Sequence, residues 1–183
     1  MRSTAARRAL LLSTAGALLG LSVLGPLPAR GQAPPTEAPR PVDPGRFLAF
    51  AHSSAVLQER ASTLAASKDT RPEVKEFARE MARFRGEQLG RLRAIAQERG
   101  LQLPKDEEFE HKVVLENLEP LDFLALTRRY AEVQVQALEQ EIRGYEAAAR
   151  GSDEAMKRLA AETLGQLRQR LEAARRMHSA VKP

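Results

Sequence analysis

The stretch SDEAMKRLAAETLGQLRQRLEAARRMH, residues 152–178, decides the fold. Met156, Leu159, Thr163, Leu167, Leu171 and Ala174 recur at intervals of three and four, the signature of one face of an α-helix. Ser152 stands where an N-cap belongs, and Gly151 just before it ends whatever helix precedes. The stripe predicts one long amphipathic helix with an inward seam, and such a helix needs partners of similar length.

Those partners lie upstream. A first helix is expected from about Pro44 to Lys68, with Asp43 as N-cap and Pro44 at the first helical position. Its stripe is Phe47, Phe50, Ala51, Ser54, Leu57, Ala61, Leu64 and Ala65. The capping box Thr70-Arg71-Pro72-Glu73 opens a second helix that closes at Gly100. Its seam runs Val74, Phe77, Ala78, Met81, Phe84/Arg85, Gln88, Leu92, Ile95 and Ala96. A short acidic helix is expected from about Lys105 to Leu118, between Pro104 and Pro120. A further long helix covers Leu121 to Arg150, burying Phe123, Leu126, Tyr130, Val133, Leu138, Ile142 and Tyr145. Nothing alternates with period two over a strand's length, so no sheet is expected. The loops at Asp69 and Gly151 are short and the middle connection is long. The expected fold is all-α: a ferritin-like antiparallel four-helix bundle of two helical hairpins, with a short extra helix in the crossover connection.

A weak internal echo accords with two hairpins. Glu87-Gln88-Leu89-Gly90-Arg91-Leu92-Arg93 and Glu162-Thr163-Leu164-Gly165-Gln166-Leu167-Arg168 share the pattern E-x-L-G-x-L-R. Gly90 and Gly165 each cost roughly 1 kcal/mol against Ala inside a helix. Close helix approach or simple slack accounts for them equally well.

The first 31 residues differ in kind. Arg2, Arg7 and Arg8 precede a charge-free apolar run from Ala9 to Leu24, followed by Gly25, Pro26, Pro28 and the small residues Ala29 and Gly31. This pattern predicts a secretory signal over residues 1–31, cut before Gln32. Arg7-Arg8-Ala9-Leu10-Leu11 also resembles a twin-arginine signal, and the general and twin-arginine routes both stay open. An uncleaved anchor is the alternative, although the apolar run is short for a spanning helix. A Pro-rich tether is expected over 32–45, the bundle over 46–178 and a tail over 179–183.

The formal charge of +5 arises from 29 basic and 24 acidic residues, and four of the arginines lie in the signal. The mature chain is therefore close to neutral, with no clustered positive excess for nucleic acid. There are no cysteines, which excludes disulfides and thiolate metal sites. The chain also lacks a G-x-S-x-G elbow, an obvious Ser–His partnership and a phosphate loop.

Several pieces together resemble a known family. Phe77-Ala78-Arg79-Glu80-Met81 follows a capped Pro-Glu-Val start, and Gly100-Leu101-Gln102-Leu103-Pro104 comes next. Phe123 and Tyr130, then Ala161-Glu162-Thr163-Leu164, complete the series. In that order they resemble the exported bacterial domain of unknown function 4142, a ferritin-like bundle often labelled putative outer-membrane protein. The resemblance covers about Arg46 to Met177. It implies an Asp-His pair in the second helix, a His in the later helix and another near the end of the last, with a first-helix acid, as metal ligands. On this chain those positions hold Phe84-Arg85, Leu138 and Arg170, with Gln58 beside Glu59 for the acid. Every histidine position is substituted.

The three histidines present do not replace them. His111 ends a Glu108-x-x-His111 spacing in an acidic run that reads as a solvated face; His52 reads as a rim or core residue. His178 falls in the last turn, where it suits the helix dipole. What stands out is a candidate interior polar cluster of Gln58, Arg85, Gln88 and Arg170 on or beside the seam. Both guanidinia could snorkel to the surface, or line a cleft for a carboxylate or phosphate. They could also enter an internal salt bridge, for instance to Glu59. Glu59, Glu141 and Glu162 are the acids able to rotate inward. The expectation is an exported, non-enzymatic bundle of the cell envelope, periplasmic or otherwise extracytoplasmic, with no catalytic residues, metal ligands or cofactors. Its expected partner is an envelope component or a small anionic ligand, with no nucleic acid and no transmembrane span in the mature chain. A ferritin-like metal-binding or redox protein of the periplasm is the alternative.

Overall fold

The computed structural model describes residues 42–68, 71–105 and 107–182. The expected signal, the tether up to residue 41 and the expected cap Thr70 lie outside the described residues. Five helices follow in order: α1 (Pro44–Lys68), α2 (Pro72–Glu98), α3 (Phe109–Leu118), α4 (Phe123–Ala149) and α5 (Glu154–Val181). No strand occurs among the described residues.

The ends obey local chemistry. Asp43 caps α1 by accepting the Arg46 N–H on Oδ1 at 2.7 Å, as its position before Pro44 predicts. Gly100 takes φ +63° beyond α2, and the Leu101 N–H returns to the Ala96 carbonyl at 2.8 Å. That left-handed turn is where glycine carries no Cβ penalty. The cap of α5 is Asp153, not Ser152, because its Oδ1 reaches the N–H groups of Ala155 and Met156 at 3.1 and 3.0 Å. α2 starts at Pro72 behind Arg71. α5 continues to Val181, into the expected tail, and α1 begins inside the expected tether.

α1 pairs with α2 and α4 with α5, the two expected hairpins. Cross-helix contacts set the directions. Phe47 meets Tyr145 and Ser62 meets Tyr130, so α1 and α4 run antiparallel. Phe77 meets Tyr130 and Gln88 meets Tyr145, so α2 and α4 run parallel. An up-down-up-down bundle would reverse both relations. The chain must therefore travel the bundle's length between α2 and α4, and α3 makes that crossing alongside α1. Arg60 binds Glu107 at 2.6 Å, and Lys68 Nζ donates to the Glu119 carbonyl at 2.7 Å, tying the crossing down.

The core divides into two clusters, one toward each end. One gathers Phe47, Met81, Phe84, Leu138, Tyr145 and Leu167; the other gathers Leu57, Val74, Leu126, Tyr130 and Met177. The whole α5 stripe from Met156 to Ala174 is buried. Five apolar residues depart from expectation. Phe77, Phe50, Leu64 and Ile95 are only half-buried. Phe123 is 63% exposed, since it is the first residue of α4 and precedes the stripe. Gly90 and Gly165 face open space, which makes them slack and not points of close approach. Close approach belongs to Gly144, where a Cβ would stand 2.6 Å from the Phe50 ring.

Candidate functional site

The expected interior polar cluster forms, with one member exchanged. Arg85 lies on the inward face of α2 at 0% exposure, and opposite it on α4 is Glu141, also at 0%. Their pairing is bidentate: Nη1 to Oε1 at 2.9 Å and Nη2 to Oε2 at 2.7 Å. A planar guanidinium matches a carboxylate in this way, and a lysine could not. Gln58 and Gln88 complete the layer. Arg85 Nη2 donates to Gln58 Oε1 at 2.7 Å and Nη1 donates to Gln88 Oε1. Each amide then returns a hydrogen to the acid: Gln88 Nε2 to Oε1 at 3.0 Å, Gln58 Nε2 to Oε2 at 3.1 Å. The layer ends on Tyr145, whose hydroxyl accepts from Gln88 at 2.9 Å, and on Ser54, which accepts from Gln58 at 3.1 Å. Burial pushes the Tyr145 phenol well above its ordinary range, with the Glu141 charge adding to the effect.

Arg170 stands apart. Its guanidinium carbon lies 3.6 Å from the centre of the Phe84 ring of α2, half-buried between α2 and α5, and Nη1 reaches the Gln166 carbonyl at 3.2 Å. Partial burial lowers its pKa, helped by the like charge of Arg85. The two arginines thus divide the accounts open to the sequence. Arg170 snorkels, as its long stem allows, while Arg85 enters an internal salt bridge. Glu59 is not the partner: it is half-buried on α1, where it accepts from Thr63 at 3.2 Å. Glu162 is exposed. A cleft lined by two free guanidinia does not form.

Gln134 is the residue the sequence reading missed. It lies on the α4 face shared by Tyr130, Leu138 and Glu141, at 0% exposure. Neither of its amide atoms finds a partner among the described residues, and Arg85 Nε also lacks one. Its four-residue spacing from Tyr130 and Leu138 was the available signal.

His111 departs furthest from expectation. It is 6% exposed, against the solvated face predicted, because α3 folds back onto α1. Its Nδ1 lies 2.7 Å from Ser53 Oγ, a Ser–His partnership that no sequence spacing announced. Ser53 is 1% exposed, so its hydroxyl is no nucleophile for an outside substrate. His52 is half-buried, and His178 occupies the last turn of α5 as expected.

An antiparallel four-helix bundle with one long crossover, closed at its centre by a buried ion pair, defines the class of protein. The family follows from the match of its model, Domain of unknown function (DUF4142), to residues 28–177, and the chain belongs to that family. Comparison with curated proteins and with solved structures gave no match.

The metal centre implied by the family resemblance does not fit these residues. Oε1 of Glu141 already accepts two hydrogen bonds, and Oε2 accepts one and lies 2.7 Å from Arg85 Nη2. Arg85 contributes a fixed positive charge where a divalent cation would bind, and guanidinium does not deprotonate in proteins. Leu138, where the resemblance implies a histidine, is buried in the apolar core. Among the described residues no three His, Asp or Glu side chains converge as a metal-holding group. No helix among them is long and apolar enough to cross a membrane.

Proposed function

We propose that this chain is an exported, non-enzymatic bundle of the cell envelope that works by binding through its helical surface, its centre serving only to hold the helices in register. The Arg85–Glu141 pair carries the reading: both groups are fully buried, paired with each other and hydrogen-bonded by Gln58 and Gln88. A centre so filled leaves no free acid, base or ligand atom for chemistry. Export is supported by Arg7-Arg8 and the charge-free run from Ala9 to Leu24.

Purified protein loaded with iron, zinc or manganese and then desalted should retain well under one equivalent by elemental analysis. Its melting temperature should not respond to a chelator. A stoichiometric metal lost on Glu141→Gln would restore the metal-protein alternative. Intact mass from the native host should show a chain beginning near Gln32 outside the cytoplasm, and a full-length species would sink the export reading.

A further inference from the structure

Away from the central layer, a groove of about 370 Å³ opens between α3 and α4. Its floor is apolar: Leu57 of α1, Val114 of α3, and Val133 and Ala137 of α4. Its rim is polar and carries no positive charge, with Glu108 and Glu110 on one side and Gln136 and Gln140 on the other. His111 joins the two zones.

The histidine is held in place by Ser53. Ser53 Oγ accepts the backbone N–H of Glu108 at 2.8 Å and lies 2.7 Å from His111 Nδ1. A hydroxyl that donates to Nδ1 leaves the ring proton on Nε2, and Nε2 has no partner among the described residues, although His111 is only 6% exposed and lines the groove. The charges bearing on the ring are all carboxylates: Glu108, Glu110, Glu141 and Glu107.

The geometry points to this groove as a binding site for a small alkylammonium that carries an oxygen acceptor. The ammonium is held by Glu108 and Glu110 with the amide oxygens of Gln136 and Gln140. The alkyl segment covers the apolar floor, and the oxygen accepts from His111 Nε2–H. An anion would meet two carboxylates at the rim. A divalent metal would want three ligands converging, and Glu108, Glu110 and His111 do not converge in that way. The inference rests on the reading of the chain as a binding bundle and names the class of ligand for it.

The test is an amide chemical-shift titration of the full chain with 4-amino-1-butanol, with n-butanol, n-butylamine and zinc ions as separate arms. Shifts should be confined to residues 108–114 and 133–140. The amino alcohol should bind more tightly than n-butylamine, and n-butanol should leave the spectrum unchanged. Glu108→Gln with Glu110→Gln, both on exposed side chains, should weaken binding about tenfold. The inference is overturned by equal binding of n-butanol, by shifts spread over every acidic surface, by silence, or by zinc alone giving the same map. An amine-silent groove beside a metal-free centre would sink this inference alone. Metal bound at Glu141 would instead sink the reading beneath it.

Discussion

Glu141 and Gln134 lie two turns apart on the same buried face of α4, and their surroundings treat them oppositely. The carboxylate is the costlier group to take out of water, yet it is fully satisfied, by Arg85, Gln58 and Gln88. The neutral amide is the cheaper group, and its Oε1 and Nε2 have no partner among the described residues. Burial is the same for both, at 0% exposure. The difference lies in what the facing helices present at each level: two glutamines and an arginine at one, no hydrogen-bonding partner at the other. A polar group in a helical core is stabilising or destabilising according to its neighbours on other helices, which its own helix does not specify.

The largest effect should come from breaking the satisfied layer. Glu141→Ala leaves the Arg85 charge buried and unpaired, and should lower stability by about 3–5 kcal/mol in urea melts. Arg85→Met with Glu141→Leu removes both charges together and should recover most of that loss, because replacing a buried pair by apolar groups is often neutral or better. Equal losses from the single and double variants would mean that packing, and not the uncompensated charge, sets the cost.

Gln134→Met sharpens the comparison from the other side. It keeps roughly the same volume and removes two unpaired buried polar atoms, whose desolvation costs about 1–3 kcal/mol. The midpoint of denaturation should rise. A fall of similar size would show that Gln134 is satisfied in solution, and the contrast with Glu141 would disappear.

The same contrast explains what the sequence disclosed. Periodicity located all five helices, and the α5 stripe from Met156 to Ala174 is buried throughout. Connection lengths indicated the two hairpins and the crossover. The seam positions of Gln58, Arg85 and Gln88 were legible because each falls on its own helix's stripe. Which acid answers Arg85 was not legible, since Glu59, Glu141 and Glu162 differ only in how far each helix is rotated about its axis. A rotation of one residue's step turns a seam position into a flank. His111 was misread for a related reason: a ten-residue helix in an acidic run carries too short a stripe to reveal that it folds back against Ser53. Ser152 and Asp153 are both competent caps, and only the backbone turn selects between them.

The smallest effect concerns Arg170, the arginine that stayed outside. Its guanidinium stacks on the face of Phe84, 3.6 Å from the ring centre, while Arg85 lies 5.0 Å from the same centre. Phe84 is 3% exposed and contacts both a fully buried cation and a half-buried one. Arg170 forms no ion pair among the described residues, so its removal strands no opposite charge. Truncation should cost only the cation–π contact and the stem's packing, about 0.5–1 kcal/mol for a site open to water. It also relieves the repulsion from Arg85, which works in the opposite direction. Arg170→Ala should therefore shift the urea midpoint slightly, and Arg170→Leu, which keeps some apolar cover on the ring, by still less. A loss near that of Glu141→Ala would mean that Arg170 belongs to the central layer after all.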